Sequence, residues 1–284
     1  MSFRRVAIIG LGLMGGSLAL ALRRASLAAQ IVGCGRRVRL DQALALGAID
    51  GGDESAAEAV RDCDLIVLCT PVETSIRLMG EIASSVAPEA LITDVGSTKL
   101  AFAEAARQLF GAAAAERVLP AHPLAGSERS GLENASAELY RGCIWALTPL
   151  AAELTGAQRK LQAMIEALGA RTLAISPQEH DRVLALTSHL PQMLSTALAL
   201  VLERALGEGN PALQLHGSGL NSMLRLATSD PVMWEQIATS NREQIAAALE
   251  AMEVELRQLR HKLGKAEFRA EFEAARRLAR SLRD

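Results

Sequence analysis

Gly10, Gly12 and Gly15 stand in G-x-G-x-x-G spacing inside the run RRVAIIGLGLMGGSLALAL, Arg4 to Leu22. An apolar stretch from Val6 to Ile9 precedes them and an Ala/Leu-rich stretch follows, so the run reads as strand, tight turn, helix. Each glycine has a separate physical task in a turn that binds a dinucleotide. The first permits the turn, the second lets backbone approach a pyrophosphate, and the third lets helix and strand meet closely. Free amides and the dipole at the helix start would then receive the phosphate charge. The strand before and the helix after separate this motif from a merely glycine-rich turn, and they assign Gly10, Leu11, Gly12, Leu13, Met14 and Gly15 to cofactor binding.

Beside a cofactor of this kind, a group that titrates or hydrogen-bonds near neutrality is the first candidate for chemistry, and imidazole suits the task. The chain has His122, His180, His189, His216 and His261. His122 precedes a proline, which favours an extended conformation at a strand end. His189 lies in the polar patch Thr187 to Gln192 of an otherwise apolar helical run, where Pro191 should kink the helix. Ser188, Gln192 and Ser195 share one face there. That patch could equally be a buried network that only fixes packing. His180 and His189 are nine residues apart, on opposite faces of an ideal helix, so they are expected to act separately, with His180 and Asp181 capping the helix start. His216 and His261 offer no constellation, and no spacing resembles a metal site. Arg225, among Met223, Leu224, Leu226 and Ala227, should need an anionic partner, either a substrate carboxylate or a structural Glu.

These residues need a scaffold, and the chain is long enough for two domains. It has 284 residues, half of them apolar, with 30 Lys plus Arg against 32 Asp plus Glu. The balanced charge gives no reason to expect a nucleic acid or an anionic membrane. Cys34, Cys63, Cys69 and Cys143 lack paired spacing and read as reduced core residues. No segment offers the ~20 consecutive apolar residues of a bilayer span, so the expected location is cytoplasmic.

Strand-like runs at Gln30 to Gly33, Asp64 to Cys69, Leu91 to Val95, Val118 to Ala121, Cys143 to Thr148 and Arg171 to Ile175 alternate with helical ones. The continuous apolar runs fit strands covered on both faces. The expected fold is α/β, with a Rossmann-type, doubly wound parallel sheet over residues 1–176 and an all-α domain over residues 177–284. Glu179 to Leu206, Met233 to Arg260 and Ala266 to Leu282 read as three long helices. Ligands sit beyond the carboxyl ends of parallel strands, which puts Cys69, Thr70 and Pro71 beside the cofactor. The carboxylate that usually binds the ribose 2′-hydroxyl, about 20 residues past the glycine turn, is replaced by Gly35, followed by Arg36 and Arg37. That substitution favours NADP over NAD; the alternative is a solvated basic loop.

Taken together, GLGLMGGS at 10–17, DVGSTK at 94–99, HPLAGSE at 122–128, HD at 180–181, SHLP at 188–191 and DPVMW at 230–234 resemble the prephenate/arogenate dehydrogenase family of tyrosine biosynthesis. The resemblance implies oxidative decarboxylation of a cyclohexadiene. His122 would accept the ring hydroxyl's hydrogen bond with Ser97 beside it, and Arg225 would bind the ring carboxylate from the other domain. Ser127, His189 and Gln192 would complete the pocket, and Gly96 would join the cofactor site. It also implies a homodimer through the helical domain, with Trp234 reaching the partner's site. One departure from the pattern is Gln192, where many prephenate-using members carry a second histidine; with the NADP preference, this favours arogenate over prephenate. A β-hydroxyacid dehydrogenase would need a lysine in its helical domain, and none lies between Lys160 and Lys262. A non-catalytic NADP sensor would have no use for the set His122, Ser97 and Arg225.

Overall fold

The computed structural model describes residues 2–125 and 130–282. The chain opens with β1 (Phe3–Ile9), α1 (Leu13–Arg24), β2 (Ala28–Cys34), α2 (Arg37–Ala45), β3 (Gly51–Asp53), α3 (Ala56–Ala59), β4 (Leu65–Leu68) and α4 (Val72–Ile82). It continues through β5 (Leu91–Asp94), α5 (Leu100–Phe110), α6 (Ala114–Arg117) and β6 (Val118–Leu119). These strands form one parallel sheet in the order β3-β2-β1-β4-β5-β6, the doubly wound arrangement. Successive residues of the central strands enter cores on opposite faces: Val6, Ile8, Leu65 and Val67 on one side, Ala7, Ile9, Ile66 and Leu68 on the other. That two-residue period with no polar member is why the strands read as unbroken apolar runs.

The run expected as one strand from Val118 to Ala121 is two. Pro120 has no N–H for the ladder and separates β6 from β7 (Ala121–Pro123). β7 leaves the parallel sheet and pairs antiparallel with β8 (Ile144–Leu147), which pairs parallel with β9 (Arg171–Ala174). α7 (Gly156–Ala167), capped by Thr155 and Gln158, packs Leu161, Met164 and Ile165 into the same core as α1.

Helices follow to the end: α8 (Pro177–Leu184), α9 (Leu190–Leu206), α10 (Ser218–Leu224), α11 (Pro231–Ser240), α12 (Arg242–Lys262) and α13 (Glu267–Ser281). A π turn, Ala185–His189, joins α8 to α9. Pro191 has no N–H to give and its ring would strike the Thr187 carbonyl, so the helix widens ahead of it. The expected helix over Met233 to Arg260 is instead two, broken at Asn241. Pro177–Leu206 is long and apolar enough to cross a membrane by length and composition alone, which no segment was expected to be. Its buried face, however, carries polar residues, of which His180 and Asp181 bond to the sheet domain. The helical core is small, built on Ala185, Leu190, Ile237, Ile245 and Ala248.

Candidate active site

The glycine turn has the three-part geometry its spacing requires. Gly10 has φ +99°, and a side chain there would sit 2.5 Å from the Cys69 carbonyl oxygen. A Cβ on Gly15 would lie 2.0 Å from the Gly10 carbonyl, so α1 can approach β1 only without one. Above Gly12 the space is open to at least 4 Å. The start of α1 has no side-chain cap and no acid in its first turn. Uncapped amides beside open space fit a phosphate group. Tyr140, fully buried, donates its hydroxyl to the Met14 carbonyl at 2.7 Å and fixes that first turn from beneath.

Register brings the other expected cofactor residues to this edge, since Ile9 pairs with Cys34 and Leu68, and Leu68 with Asp94. Cys69, Thr70 and Pro71 follow β4, with the Thr70 and Ser75 hydroxyls 2.8 Å apart. Gly96 follows β5, its N–H donating to Asp94 Oδ2 at 2.9 Å. Beyond β2, Gly35 faces open space and Arg36 is exposed. Arg37 is turned to Asp41 at 3.1 Å, and its amide is held by the Glu54 carboxylate at 2.9 Å. Two carboxylates near the turn therefore engage Arg37, not Arg36.

His122 lies on β7, buried, its Nδ1 3.0 Å from Nε2 of His180 on α8. Nδ1 of His180 is 2.7 Å from Asp181 Oδ1. The Asp181 carboxylate also accepts the Lys99 and Leu100 amides, at 2.8 and 2.9 Å, capping α5 from another domain. His180 is thus part of a relay rather than a cap; Ser176 caps α8, accepting from the Glu179 amide. The π turn explains why His180 and His189 also come together. An i→i+5 turn absorbs an extra residue, so nine residues rotate as about eight would, leaving the two rings roughly 80° apart instead of opposed.

Behind the relay stands an ion pair that sequence reasoning passed over. Lys99 and Asp94 are fully buried against each other. Asp94 Oδ1 accepts the Ala121 amide at 3.0 Å, while Lys99 Nζ donates to the Ala121 carbonyl at 2.9 Å. The pair clamps both backbone groups of the residue before His122, just where Pro120 breaks the ladder. Burial pulls Lys99 below its ordinary range against the opposing pull of Asp94. Burial also drives His122 well below 6.5, helped by His180, Lys99 and His189. His189 falls to about 4, again mainly by burial, with Asp181 opposing and His180 adding to the shift.

Asn241, at the break between α11 and α12, was missed as well. Its Nδ2 reaches the Asp181 carbonyl at 2.8 Å and His189 Nδ1 at 3.2 Å. Trp234 packs edge-on against His189 of its own chain, centroids 5.8 Å apart. Ser97 is half-buried in the loop after β5, whose Thr98 hydroxyl meets that of Ser240 at 2.9 Å. Ser127 lies outside the described residues.

Gln192 is buried, and both ends of its amide are engaged: Nε2 donates to the Leu226 carbonyl at 2.8 Å and Oε1 accepts from Ser229 at 3.2 Å. Ser195 bonds the Met223 carbonyl at 2.7 Å. The two side chains pin to α9 the segment that carries Arg225. Arg225 itself is exposed, so its apolar sequence neighbours do not bury it and no internal counter-ion is required. Among the described residues no cluster of His, Cys, Asp and Glu could hold a metal ion.

A strand edge that gathers open glycine backbone at an uncapped helix start, beside a histidine withdrawn from water, is built for a nucleotide and a proton. The class of protein is a nucleotide-binding dehydrogenase. Residues 18–174 match the prephenate dehydrogenase nucleotide-binding domain and residues 176–279 the prephenate dehydrogenase dimerization domain. The chain belongs to the prephenate dehydrogenase family. It is 31% identical over 244 residues to prephenate dehydrogenase of Bacillus subtilis, a match covering 84% of this chain and 65% of that one, less than two thirds of its length. It is 32% identical to cyclohexadienyl dehydrogenase of Zymomonas mobilis, over 91% of this chain and 88% of that one. The crystal structure of Aquifex aeolicus prephenate dehydrogenase with hydroxyphenyl propionate and NAD+ superposes with TM-score 0.89 at 29% identity, covering 100% of this chain and 99% of the other.

Proposed function

We propose that the protein oxidatively decarboxylates arogenate to tyrosine using NADP, with residues 1–176 binding the cofactor and residues 177–284 forming a cytoplasmic homodimer. When bound, the nicotinamide supplies a hydride acceptor. Loss of the ring carboxylate as carbon dioxide makes the ring aromatic, so the protein's task is to orient the ring and take the hydroxyl proton. The observation that carries this reading is the buried relay of His122, His180 and Asp181, tied to the carboxyl end of β5 through Asp94 and Lys99, in a chain of this family. His122 accepts the proton from the 4-hydroxyl, and Ser97, in the loop after β5, assists it. Arg225, exposed on a segment pinned by Gln192 and Ser195, offers a planar guanidinium for the ring carboxylate. His189, with Trp234 packed edge-on against it, faces the substrate acid.

NADP is supported by Gly35 in place of an acid and by the exposed Arg36. Gln192 supports arogenate, because an amide committed to holding the Arg225 segment gives the keto-acid side chain of prephenate no imidazole there. A second reading, prephenate or dual use, is favoured by the relatives in Bacillus subtilis and Zymomonas mobilis. The dimer is supported by exposed apolar residues on the helices, including Val201, Leu256, Phe272 and Leu278. Initial rates with each substrate and each cofactor test the assignment: arogenate with NADP should give the highest kcat/KM, and a higher value for prephenate reverses the substrate.

A further inference from the structure

Two buried histidines of the site, His122 and His189, are tied to one residue, Asp181, through different atoms. The carboxylate of Asp181 is reached by His180 Nδ1 at 2.7 Å, and His180 Nε2 lies 3.0 Å from His122 Nδ1. Its backbone carbonyl accepts from Asn241 Nδ2 at 2.8 Å, and the same nitrogen is 3.2 Å from His189 Nδ1. All five side chains are at least nine-tenths buried, so water is not on hand to substitute for a wrong partner.

Hydrogen positions follow from the fixed ends of these two chains. A carboxylate that already accepts two backbone amides can only accept, so the His180 Nδ1 facing it carries a proton. With the two rings neutral, His180 Nε2 is then a lone pair, and the His122 Nδ1 opposite must carry a proton. That leaves His122 Nε2 bare. On the other branch, a backbone carbonyl can only accept, which identifies the Asn241 atom facing it as the amide nitrogen. The second hydrogen of that amide points at His189 Nδ1, which must be a lone pair. The His189 proton is therefore on Nε2.

We propose that Asp181 is the positioning residue that gives the two histidines opposite roles, leaving His122 Nε2 as an acceptor through His180 and His189 Nε2 as a donor through Asn241. The substrate roles that follow rest on the proposed reaction: His122 takes the hydroxyl proton and His189 donates to an oxygen of the bound acid. The tautomers themselves do not depend on that reaction. When His122 gains a proton at Nε2, its Nδ1–H points down the relay, and the Asp181 carboxylate lies at the end to stabilise the cation.

Long-range proton–nitrogen NMR spectra of the full-length chain, labelled with nitrogen-15 at histidine, read the tautomers directly at neutral pH. Signals are assigned by their loss in His122→Asn and His189→Asn. The expected result is His122 and His180 protonated at Nδ1 and His189 at Nε2. A His122 signal with its proton on Nε2, or a His189 signal with its proton on Nδ1, overturns the proposal whether or not the enzyme turns over. Two variants supply the kinetic counterpart. His180→Phe keeps bulk but cuts the relay, and should lower kcat by about 10- to 100-fold, the scale of partners that orient a ligating or reacting group. Asn241→Asp places an acceptor against His189 Nδ1, and should move its proton there and raise the substrate KM by about tenfold or more. Unchanged spectra in both variants would also reject the assignment. Absence of turnover with every substrate and cofactor pair rejects the proposed reaction instead, leaving the spectra to decide the tautomers.

Discussion

His122 Nδ1 lies 3.0 Å from Nε2 of His180, a bond that spans 58 positions of sequence and joins a strand of the second sheet to the first helix of the helical domain. The base of the proposed reaction is therefore held from the domain that does not contain it. His122→Asn removes the ring nitrogen that faces the substrate while keeping a donor for His180. Turnover is expected to fall by about 10² to 10⁴, the usual contribution of an acid–base group. Binding of NADP, followed by fluorescence titration, should persist because the glycine turn is untouched. Unchanged turnover would remove His122 from the mechanism.

The burial that lowers His122 and His189 also sets a pH dependence. His189 titrates at about 4 in the folded chain and both histidines lie below their ordinary 6.5, through burial first, with His180 and Lys99 adding to it and Asp181 opposing it at His189. Below pH 6.5 the unfolded chain binds protons that the folded chain refuses, so stability falls as pH drops. The loss begins near 6.5, accumulates by at most about 1.4 kcal/mol per pH unit for each group, and for His189 ends near pH 4. Melting temperatures between pH 7.5 and roughly 4 should decline, and His189→Asn should make the decline shallower. The same shift keeps His122 unprotonated, so the acid limb of kcat should lie below 6.5.

Much of this was legible in the sequence, and what was not has identifiable physical reasons. The parallel sheet showed because each strand is apolar on both faces, and the glycine turn because each glycine answers a different steric demand. The relay did not show, because His122 and His180 lie 58 positions apart and meet only when α8 packs on β7, while α-helical spacing put His189 on the opposite face until the π turn ahead of Pro191 brings it round. Asn241 sat inside a run of helical spacing, and nothing local marks the break that makes its side chain available. Lys99 was in plain view in DVGSTK, yet its work depends on Pro120 splitting a strand and leaving the Ala121 backbone to be paired by side chains. Arg225 misled in the other direction: apolar neighbours in sequence suggested burial, whereas the segment lies on the surface of α9.

The clamp on Ala121 gives a stability test. Lys99→Met keeps the length of the side chain but leaves Asp94 charged, buried and short of a partner. Removing one member of a buried pair is expected to destabilise by about 3–5 kcal/mol. Urea unfolding should show that loss. Lys99→Met together with Asp94→Leu removes both charges, and should recover part of it while leaving His122 poorly placed and turnover low.

In the proposed reading, cofactor choice turns on the end of β2. Arg36 is exposed beside Gly35, while the Arg37 guanidinium is drawn to Asp41. Arg36→Ser should raise the KM for NADP by about tenfold, the scale of one charge-assisted contact to a phosphate, and leave that for NAD nearly unchanged. Arg37→Ser should have the smaller effect. Equal changes for both cofactors would mean that neither arginine reads the 2′-phosphate.

The glycine turn separates binding from folding at two positions three residues apart. Gly12 has a negative φ of −93° and open space where a side chain would go, so Gly12→Ala should leave the melting temperature nearly unchanged. The added methyl occupies the approach to the helix amides, and NADP affinity should drop by about tenfold or more. Gly15→Ala places its methyl 2.0 Å from the Gly10 carbonyl, a contact that only movement of α1 away from β1 can relieve. Overpacking of this kind destabilises by about 1–3 kcal/mol, so a lowered melting temperature should accompany any loss of binding. Calorimetry and NADP titration on the two variants distinguish the cases. If Gly12→Ala unfolds the chain while Gly15→Ala leaves it intact, the tasks assigned to the two glycines are reversed.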